Sequence, residues 1–367
     1  MFPIIDGHLD LSWNALGWGR DLRCSAAEIN RREAKMTDHA ARGHAINSLH
    51  EMRRGKVALC MATVLAGADP DIAHAQANSR LSSEYPCQEM AYAVAQGQFA
   101  FYHLMEEQGE MAMIRTAEDL KAHWARWLVG GNERLPIGYV LAMEGADPII
   151  NPRQAEAWWR QGLRCASLVH FGRSRYAVGT GKDGPLTSDG VSLLAEFQRL
   201  GMILDVTHLS ETSFQQALDC FDGPVMASHS NCRGLVPGDR QLSDEQIGRL
   251  VARGAVIGVC LDNWMLYPGW QTGRTSRELV GLAAMANHMD RICQLAGNCR
   301  HVGFGTDADG GCGTEQAPRE LETIGDLQKI ADILAARGYS EADIVNIFHG
   351  NWLRFLLQHL PNTPAES

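Results

Sequence analysis

Short apolar runs, each followed at once by a polar residue or a glycine, recur along the chain and predict buried β-strands. Most are separated by segments with helical hydrophobic spacing, and alternating strands and helices imply a parallel sheet. The eight predicted strands lie, in chain order, at residues 2–9, 56–66, 137–143, 163–169, 202–207, 224–228, 255–261 and 301–306.

The intervening segments carry the start and stop signals of helices. Residues 188–200 have a cap residue at Ser188 and end before Gly201, and Ser243-Asp-Glu-Gln246 has the form of a capping box. The remaining predicted helices lie at residues 26–50, 68–134, 210–221, 278–296, 321–337 and 340–360.

Eight alternating strands predict the α/β fold class, as a closed (β/α)₈ barrel of the TIM type. We expect one domain over residues 1–367, with long insertions after strands 1 and 2 and C-terminal helices over about 321–360. An open doubly wound sheet is the competing architecture. Such a sheet usually has a glycine-rich phosphate turn after its first strand, and this sequence has none.

The composition limits the classes of binding partner and the cellular compartment that we expect. Of 367 residues, 45% are hydrophobic and 21% charged, as in ordinary globular proteins. The formal net charge of -10 argues against nucleic acid, and we assign the basic run Arg53-Arg54-Gly-Lys56 to a solvated helix face. No apolar segment approaches the roughly 20 residues of a membrane span. Without a visible leader or anchor, and with ten scattered cysteines, we expect reduced thiols and a cytoplasmic protein.

Ionisable residues stand at the ends of the predicted strands. His8 and Asp10 are one residue apart, so both side chains point to the same side of strand 1. Singly, such a histidine is typical of a hydrogen-bonded core residue, and such a carboxylate of a helix N-cap. The carboxyl ends of barrel strands converge on one mouth, so the whole set predicts a metal site. Its members are His8, Asp10, Glu144, His170, His208, His229 and Asp307.

This set exceeds the needs of one catalytic zinc, which usually takes three protein ligands and a water. Two metals roughly 3.5–4 Å apart would use it and hold one hydroxide between them. Glu144 is the natural bridge, since it is the anionic group of the middle strands. His8 and Asp10 would complete one metal and His208 and His229 the other. His170 and Asp307 would then be free for chemistry.

Five ordered motifs resemble those of the membrane (renal) dipeptidase family, peptidase family M19, of the amidohydrolase superfamily. The resemblance runs from residue 4 to Gly350-Asn351. It implies an amidohydrolase-type barrel that hydrolyses dipeptides, including those with a D-configured second residue, at a binuclear zinc centre. The motifs are Asp6-Gly-His-Leu-Asp10, Glu144-Gly145, Asp205-Val-Thr-His208, Ser228-His-Ser230 and Gly305-Thr-Asp-Ala-Asp309-Gly310.

The resemblance also implies a role for each site residue. His8, Asp10 and Glu144 would bind one zinc, and Glu144, His208 and His229 the other. Asp307 would transfer the proton taken from the bridging hydroxide, His170 would contact the substrate and its oxyanion, and Arg240 would receive the substrate carboxylate. The usual Arg-Asn-x-x-Asp motif appears here as Arg240-Gln241-Leu-Ser-Asp244. We expect segments 11–55 and 263–277 to line the mouth.

The sequence therefore predicts a cytoplasmic bacterial zinc dipeptidase whose partners are small dipeptides. Because family members are often dimers, the resemblance also implies a homodimer. One alternative is a related binuclear amidohydrolase acting on an N-acyl amino acid or a lactam. Another is a metal-binding barrel without catalytic activity, against which the complete ligand set and Asp307 argue.

Overall fold

A sheet of parallel strands forms the centre of the fold. A computed structural model describes residues 1–70, 82–131, 134–311 and 313–362. The strands of the sheet are β1 (Ile4–Leu9), β2 (Val57–Leu65), β3 (Ile137–Glu144), β4 (Leu163–Ser167), β5 (Ile203–Asp205), β6 (Val225–Met226), β7 (Ile257–Val259) and β8 (Val302–Phe304).

Within the described residues these eight strands follow one another in the order β7-β8-β1-β2-β3-β4-β5-β6. Between β6 and β7, Ala227 and Ile257 form a single parallel bridge that nearly closes the sheet into a barrel. The predicted fold class is confirmed.

Two glycines permit the close approach of strands at the closing side of the barrel. A Cβ atom on Gly258 would lie 1.9 Å from the carbonyl oxygen of Ser228, and one on Gly305 would lie 1.8 Å from it. Any side chain there would push β7 and β8 away from the segment that follows β6. These glycines therefore help to bring His229 towards the barrel axis.

Helices surround the barrel, and short turns connect them. A two-stranded sheet pairs Gly67–Ala68 with Glu84–Tyr85, and 3₁₀ turns lie at Pro152–Gln154, Arg277–Leu279, Thr314–Gln316 and Ile324–Gln328. The α-helices are Leu11–Trp18, Ala26–Glu33, Leu49–Arg54, Gln88–Glu107, Ala117–Val129, Ala155–Gln161, Ser188–Leu200, Glu211–Cys220, Asp244–Ala252, Asn263–Leu266, Leu282–Ala296, Lys329–Ala336, Glu341–Val345 and Asn351–His359.

The predicted helix over 26–50 is wrong in its middle. Two helices, Ala26–Glu33 and Leu49–Arg54, occupy its ends. Between them the backbone N–H groups of Ile46 and Asn47 donate to the Asp309 carboxylate, at 3.0 and 2.9 Å. A continuous helix would keep these groups for its own hydrogen bonds, so the tertiary contact overrides the local preference.

The predicted helix over 68–134 is also divided. Its described part holds the helices Gln88–Glu107 and Ala117–Val129, and between them the strand Met111–Met113 pairs in parallel with β3. Met111 and Met113 are buried while Ala112 is less so, the alternation of a strand at the sheet edge. Residues 71–81 and 132–133 of the prediction lie outside the described residues.

The predicted helix ends are mostly confirmed. The cap of the helix Ser188–Leu200 is Thr187, one residue before the predicted cap Ser188. The Thr187 side chain accepts the N–H of Gly190. The capping box of Ser243 and Gln246 is present. Within the predicted helix 340–360, a π-helical turn, Asn346–Gly350, runs on into the helix Asn351–His359.

Two further observations concern the cysteines and the helices. The nine cysteines in the described ranges are all free thiols, as expected. None of the described helices combines the length and the apolar character that crossing a bilayer requires.

Candidate metal centre

Glu144 stands between two pairs of side chains at the carboxyl ends of the strands. Its Oε2 lies 3.5 Å from Nε2 of His8, and the same ring nitrogen lies 3.5 Å from Oδ2 of Asp10. Its other oxygen, Oε1, lies 3.2 Å from Nε2 of His208 and 3.4 Å from Nε2 of His229. The two oxygens of one carboxylate therefore face two different groups of ligand-type atoms.

Two of these atoms are buried without a hydrogen-bond partner among the described residues. Nε2 of His8 and Oε1 of Glu144 are both in this position. An unpaired buried polar atom is costly, so this arrangement requires a further group to satisfy it. Imidazole nitrogens and carboxylate oxygens are the donors that bind zinc and similar divalent cations.

Three sets of side chains place one donor atom each within 4.8 Å of one another. The residues present thus fit the binding of divalent cations. The sets are His8, Glu144 and His229; Glu144, His170 and His208; and His8, Asp10 and Asp307.

Hydroxyl groups contact Nδ1 of His8, His208 and His229. Thr180 Oγ1 lies 3.0 Å from Nδ1 of His208, and Ser228 Oγ lies 2.9 Å from Nδ1 of His229 and 3.4 Å from Nδ1 of His8. Thr63 donates its hydroxyl to Asp10. Such contacts fix the ring orientation and leave Nε2 for a cation. Sequence reasoning missed all three hydroxyl residues, although Ser228 directly precedes a predicted ligand.

Two further carboxylates of the motifs tie the strand ends together. Asp205 Oδ1 accepts the N–H of Thr207 at 3.0 Å and of Ser228 at 2.9 Å. Asp6 accepts the N–H of His8 at 3.1 Å and both the N–H and the hydroxyl of Thr306. Each carboxylate joins two neighbouring strand ends, and thereby sets the spacing of the ligands that follow.

Two site residues adopt a backbone conformation that favours glycine. His208 has a φ of 69° and Asp307 a φ of 58°. Left-handed backbone at a residue other than glycine is unfavourable and is held by its surroundings. Here it turns both side chains back over the mouth of the barrel.

Asp307, His170 and Arg240 line one cavity of about 240 Å³ together with Glu144. Asp307 is 3.8 Å from Nε2 of His8 and 4.0 Å from Nε2 of His229. The ring of His170 is 4.5 Å from that of His208. Arg240 donates to the carbonyl oxygen of His229 at 2.7 Å and to Ser230 Oγ at 3.3 Å.

Burial dominates the electrostatics of this site. It raises the pKa of Asp307 well above its usual range, with Asp10 and Glu144 adding to the effect. Burial also lowers the pKa of His208 and of His229 well below the usual value, helped by Arg240 and by His8 respectively. Both imidazoles are therefore neutral at pH 7, which is the form that binds a cation.

The pKa of Glu144, unlike that of Asp307, is lowered. Burial acts to raise its pKa, but the neighbouring His8 and His170 outweigh burial and hold the pKa well below the usual value. Glu144 is consequently an anion at neutral pH and offers both oxygens to its neighbours.

The structure brings together all seven strand-end residues that the sequence singled out, and Arg240 with them. Only part of each predicted mouth segment lines the cavity. Segment 11–55 contributes Trp13, and segment 263–277 contributes Trp264 and Met265. Leu65 and Phe171, which sequence reasoning did not select, also line the cavity. Leu65 is the last residue of β2 and Phe171 lies four residues after β4, and neither side chain carries a chemical signal of its own.

Comparison with known proteins identifies a matching protein family. The family model described as membrane dipeptidase (peptidase family M19) matches residues 1–363. Dipeptidase verJ of Clonostachys rogersoniana is 27% identical over 360 residues, covering 96% of this chain and 83% of verJ. Dipeptidase aclJ of Aspergillus oryzae is 29% identical over 238 residues, and the match covers 63% of this chain but about half, 54%, of aclJ.

Solved structures share the fold. The crystal structure of the metallopeptidase dipeptidase AC superimposes with a TM-score of 0.77 at 23% identity, over 99% of both chains. A metallopeptidase of Rhodobacter sphaeroides, bound to a phosphinate mimic of the dipeptide L-Ala-D-Ala, has a TM-score of 0.76 at 24% identity over 98% of this chain and 99% of its own. At these identities the likeness concerns the fold.

Proposed function

The chain belongs to the membrane dipeptidase family, peptidase family M19, and we propose that it is a zinc-dependent dipeptidase with two zinc ions per chain. The observation that carries this proposal is the position of Glu144, whose two oxygens face His8 on one side and His208 and His229 on the other. A carboxylate that faces two sets of imidazoles suits a shared ligand between two cations.

In this proposal His8, Asp10 and Glu144 hold one zinc, and Glu144, His208 and His229 hold the other. When bound, two such cations lower the pKa of water into the neutral range and polarise a carbonyl oxygen. The hydroxyls of Thr180 and Ser228 orient two of the ligand rings.

The remaining polar groups of the cavity supply binding and proton transfer. Asp307, which lines the cavity, accepts the proton of the attacking water and passes it to the leaving amine. His170 contacts the carbonyl oxygen of the substrate. Arg240 uses two of its five N–H groups for His229 and Ser230, and among the described residues the others make no further hydrogen bond and can bind a substrate carboxylate.

The related activity on an N-acyl amino acid or a lactam differs in what it requires of the substrate. A dipeptidase that holds the substrate carboxylate on Arg240 needs a free carboxyl terminus. The test is a panel of L-Ala-L-Ala, L-Ala-D-Ala, L-Ala-L-Ala amide and N-acetyl-L-Ala, incubated with the zinc-loaded protein. Release of amino acids from the first two alone is the expected result. Equal turnover of the amide or the acetyl compound supports the other amidohydrolase, and no turnover at all supports a non-catalytic barrel.

Replacing Arg240 with Met is expected to raise the KM for L-Ala-L-Ala by about 10- to 100-fold, with a smaller change in kcat. The reason is the loss of charged hydrogen bonds to the substrate carboxylate, worth about 1.5–3 kcal/mol. Steady-state kinetics check this, and zinc content measured on the same sample serves as the control. An unchanged KM would remove Arg240 from substrate binding.

The wider setting of the enzyme follows the family resemblance. We propose that residues 1–367 form one metallohydrolase domain and that the protein is a cytoplasmic homodimer in a bacterium. Support comes from the free thiols of the described cysteines and from the family match over residues 1–363. Light scattering on the eluted protein decides the oligomeric state.

A further inference from the structure

A small sheet beside the cavity fixes the backbone of Glu84. Gly67–Ala68, just beyond the end of β2, pairs in parallel with Glu84–Tyr85. The N–H of Gly67 donates to the carbonyl oxygen of Ser83 at 2.6 Å, and Ser83 itself lines the cavity. Glu84 is therefore held at the edge of the site by its main chain, independently of its side chain.

The Glu84 carboxylate faces a ring nitrogen of His170. Its Oε1 lies 3.6 Å from Nδ1 of His170. Nδ1 is buried and makes no hydrogen bond to any described residue. Within the described ranges, His170 is also the only basic side chain within 4.0 Å of this carboxylate. A buried imidazole nitrogen needs a partner, and Glu84 offers an ionised acceptor that is slightly too distant in this state.

We propose that Glu84 is a positioning residue for His170: its carboxylate accepts the Nδ1–H, fixes the rotation of the ring, and leaves Nε2 for the cavity. Carboxylates hold imidazoles in this way in many enzyme sites, and such hydrogen bonds often shorten when substrate binds. This inference rests on the proposed function, in which His170 contacts the substrate.

Gly67 provides the space that the carboxylate occupies. A Cβ atom on Gly67 would lie 2.0 Å from Oε2 of Glu84 and 2.5 Å from its Cδ. The backbone of Gly67 is not among those with positive φ, so alanine is conformationally permitted there. Gly67→Ala should therefore displace the Glu84 carboxylate from His170 while every charge of the site is kept.

The test compares Glu84→Gln, Gly67→Ala and the double variant with the wild-type enzyme on L-Ala-L-Ala. Each single variant is expected to lower kcat by about 10- to 100-fold, the usual loss when such a supporting contact is removed. KM is expected to stay within about twofold, and the double variant to be no slower than the slower single one. A merely destabilising change would give additive losses, because the two defects would be independent.

Glu106→Gln is the matched control. Glu106 is as exposed as Glu84, at 23% against 24%, and faces His103 at 3.2 Å on the helix Gln88–Glu107, outside the cavity. This variant loses the same charge from the same kind of pair and is expected to keep the wild-type kcat.

A spectroscopic reading separates this inference from the proposed function. The ¹⁵N resonance of His170 Nδ1 in the zinc-loaded protein should shift in both Glu84→Gln and Gly67→Ala, and not in Glu106→Gln. Wild-type kcat in Glu84→Gln, or an unmoved resonance, overturns the role of Glu84. A wild-type enzyme inactive on every dipeptide overturns the proposed function, and the resonance then still decides whether Glu84 positions His170.

Discussion

Asp307→Asn is expected to lower the kcat for L-Ala-L-Ala by about 10²- to 10⁴-fold, the usual contribution of a general acid–base group. The amide has the shape of the carboxyl but cannot carry a proton between water and the leaving amine. Asp307 lies 3.8 Å from Nε2 of His8 and 4.0 Å from Nε2 of His229, and the proposed function does not count it among the zinc ligands.

Steady-state kinetics and elemental analysis of the same preparation check this prediction. Zinc content is expected to remain near two per chain, and KM to change little, because binding and metal ligands are intact. A fully active Asn variant would show that proton transfer runs through another group. A variant that has lost its zinc would show that Asp307 is a ligand instead.

Glu144→Gln is expected to have the largest effect on metal binding. One oxygen of Glu144 faces His8 at 3.5 Å and the other faces His208 at 3.2 Å. The neutral amide keeps a single oxygen and loses the anionic charge, so it cannot serve both sides. Zinc retained after dialysis should fall below one per chain, and activity at limiting zinc by at least about 100-fold.

The control for this prediction is Glu84→Gln, which removes a carboxylate from the edge of the same site and should retain two zinc ions. Both variants are compared after dialysis against the same zinc-free buffer. Two ions and wild-type turnover in Glu144→Gln would contradict a shared carboxylate at this position.

The ligand set could be predicted because it depends on strand periodicity alone. His229 follows directly on a short apolar run, and Glu144 ends another. Parallel strands in a barrel place such residues at one mouth regardless of the loops between them. Errors of one or two residues in the strand ends did not matter, since the ligands themselves mark those ends.

The supporting contacts could not be predicted because they join residues that are distant in sequence. Thr180 reaches His208 from the segment after β4, and Glu84 reaches His170 across more than eighty residues. Their side chains carry no distinguishing pattern in the sequence. The left-handed backbone of His208 is similarly set by its surroundings, and without a glycine at this position the sequence does not predict it.

Asp309 illustrates why local patterns failed in the first insertion. Its carboxylate accepts backbone N–H groups of Ile46 and Asn47 and lies 3.6 Å from the guanidinium of Arg20. This contact joins the end of β8 to a segment more than 250 residues earlier. Helical spacing over 26–50 cannot reveal such a partner, and the contact lies in the stretch between the helices Ala26–Glu33 and Leu49–Arg54.

Anomalous diffraction from a crystal of the zinc-loaded wild-type protein tests the central claim most directly. Two zinc peaks roughly 3.5–4 Å apart are expected. One should contact His8 and Asp10, the other His208 and His229, and both should contact Glu144. A single peak, or none at this position, would contradict the account.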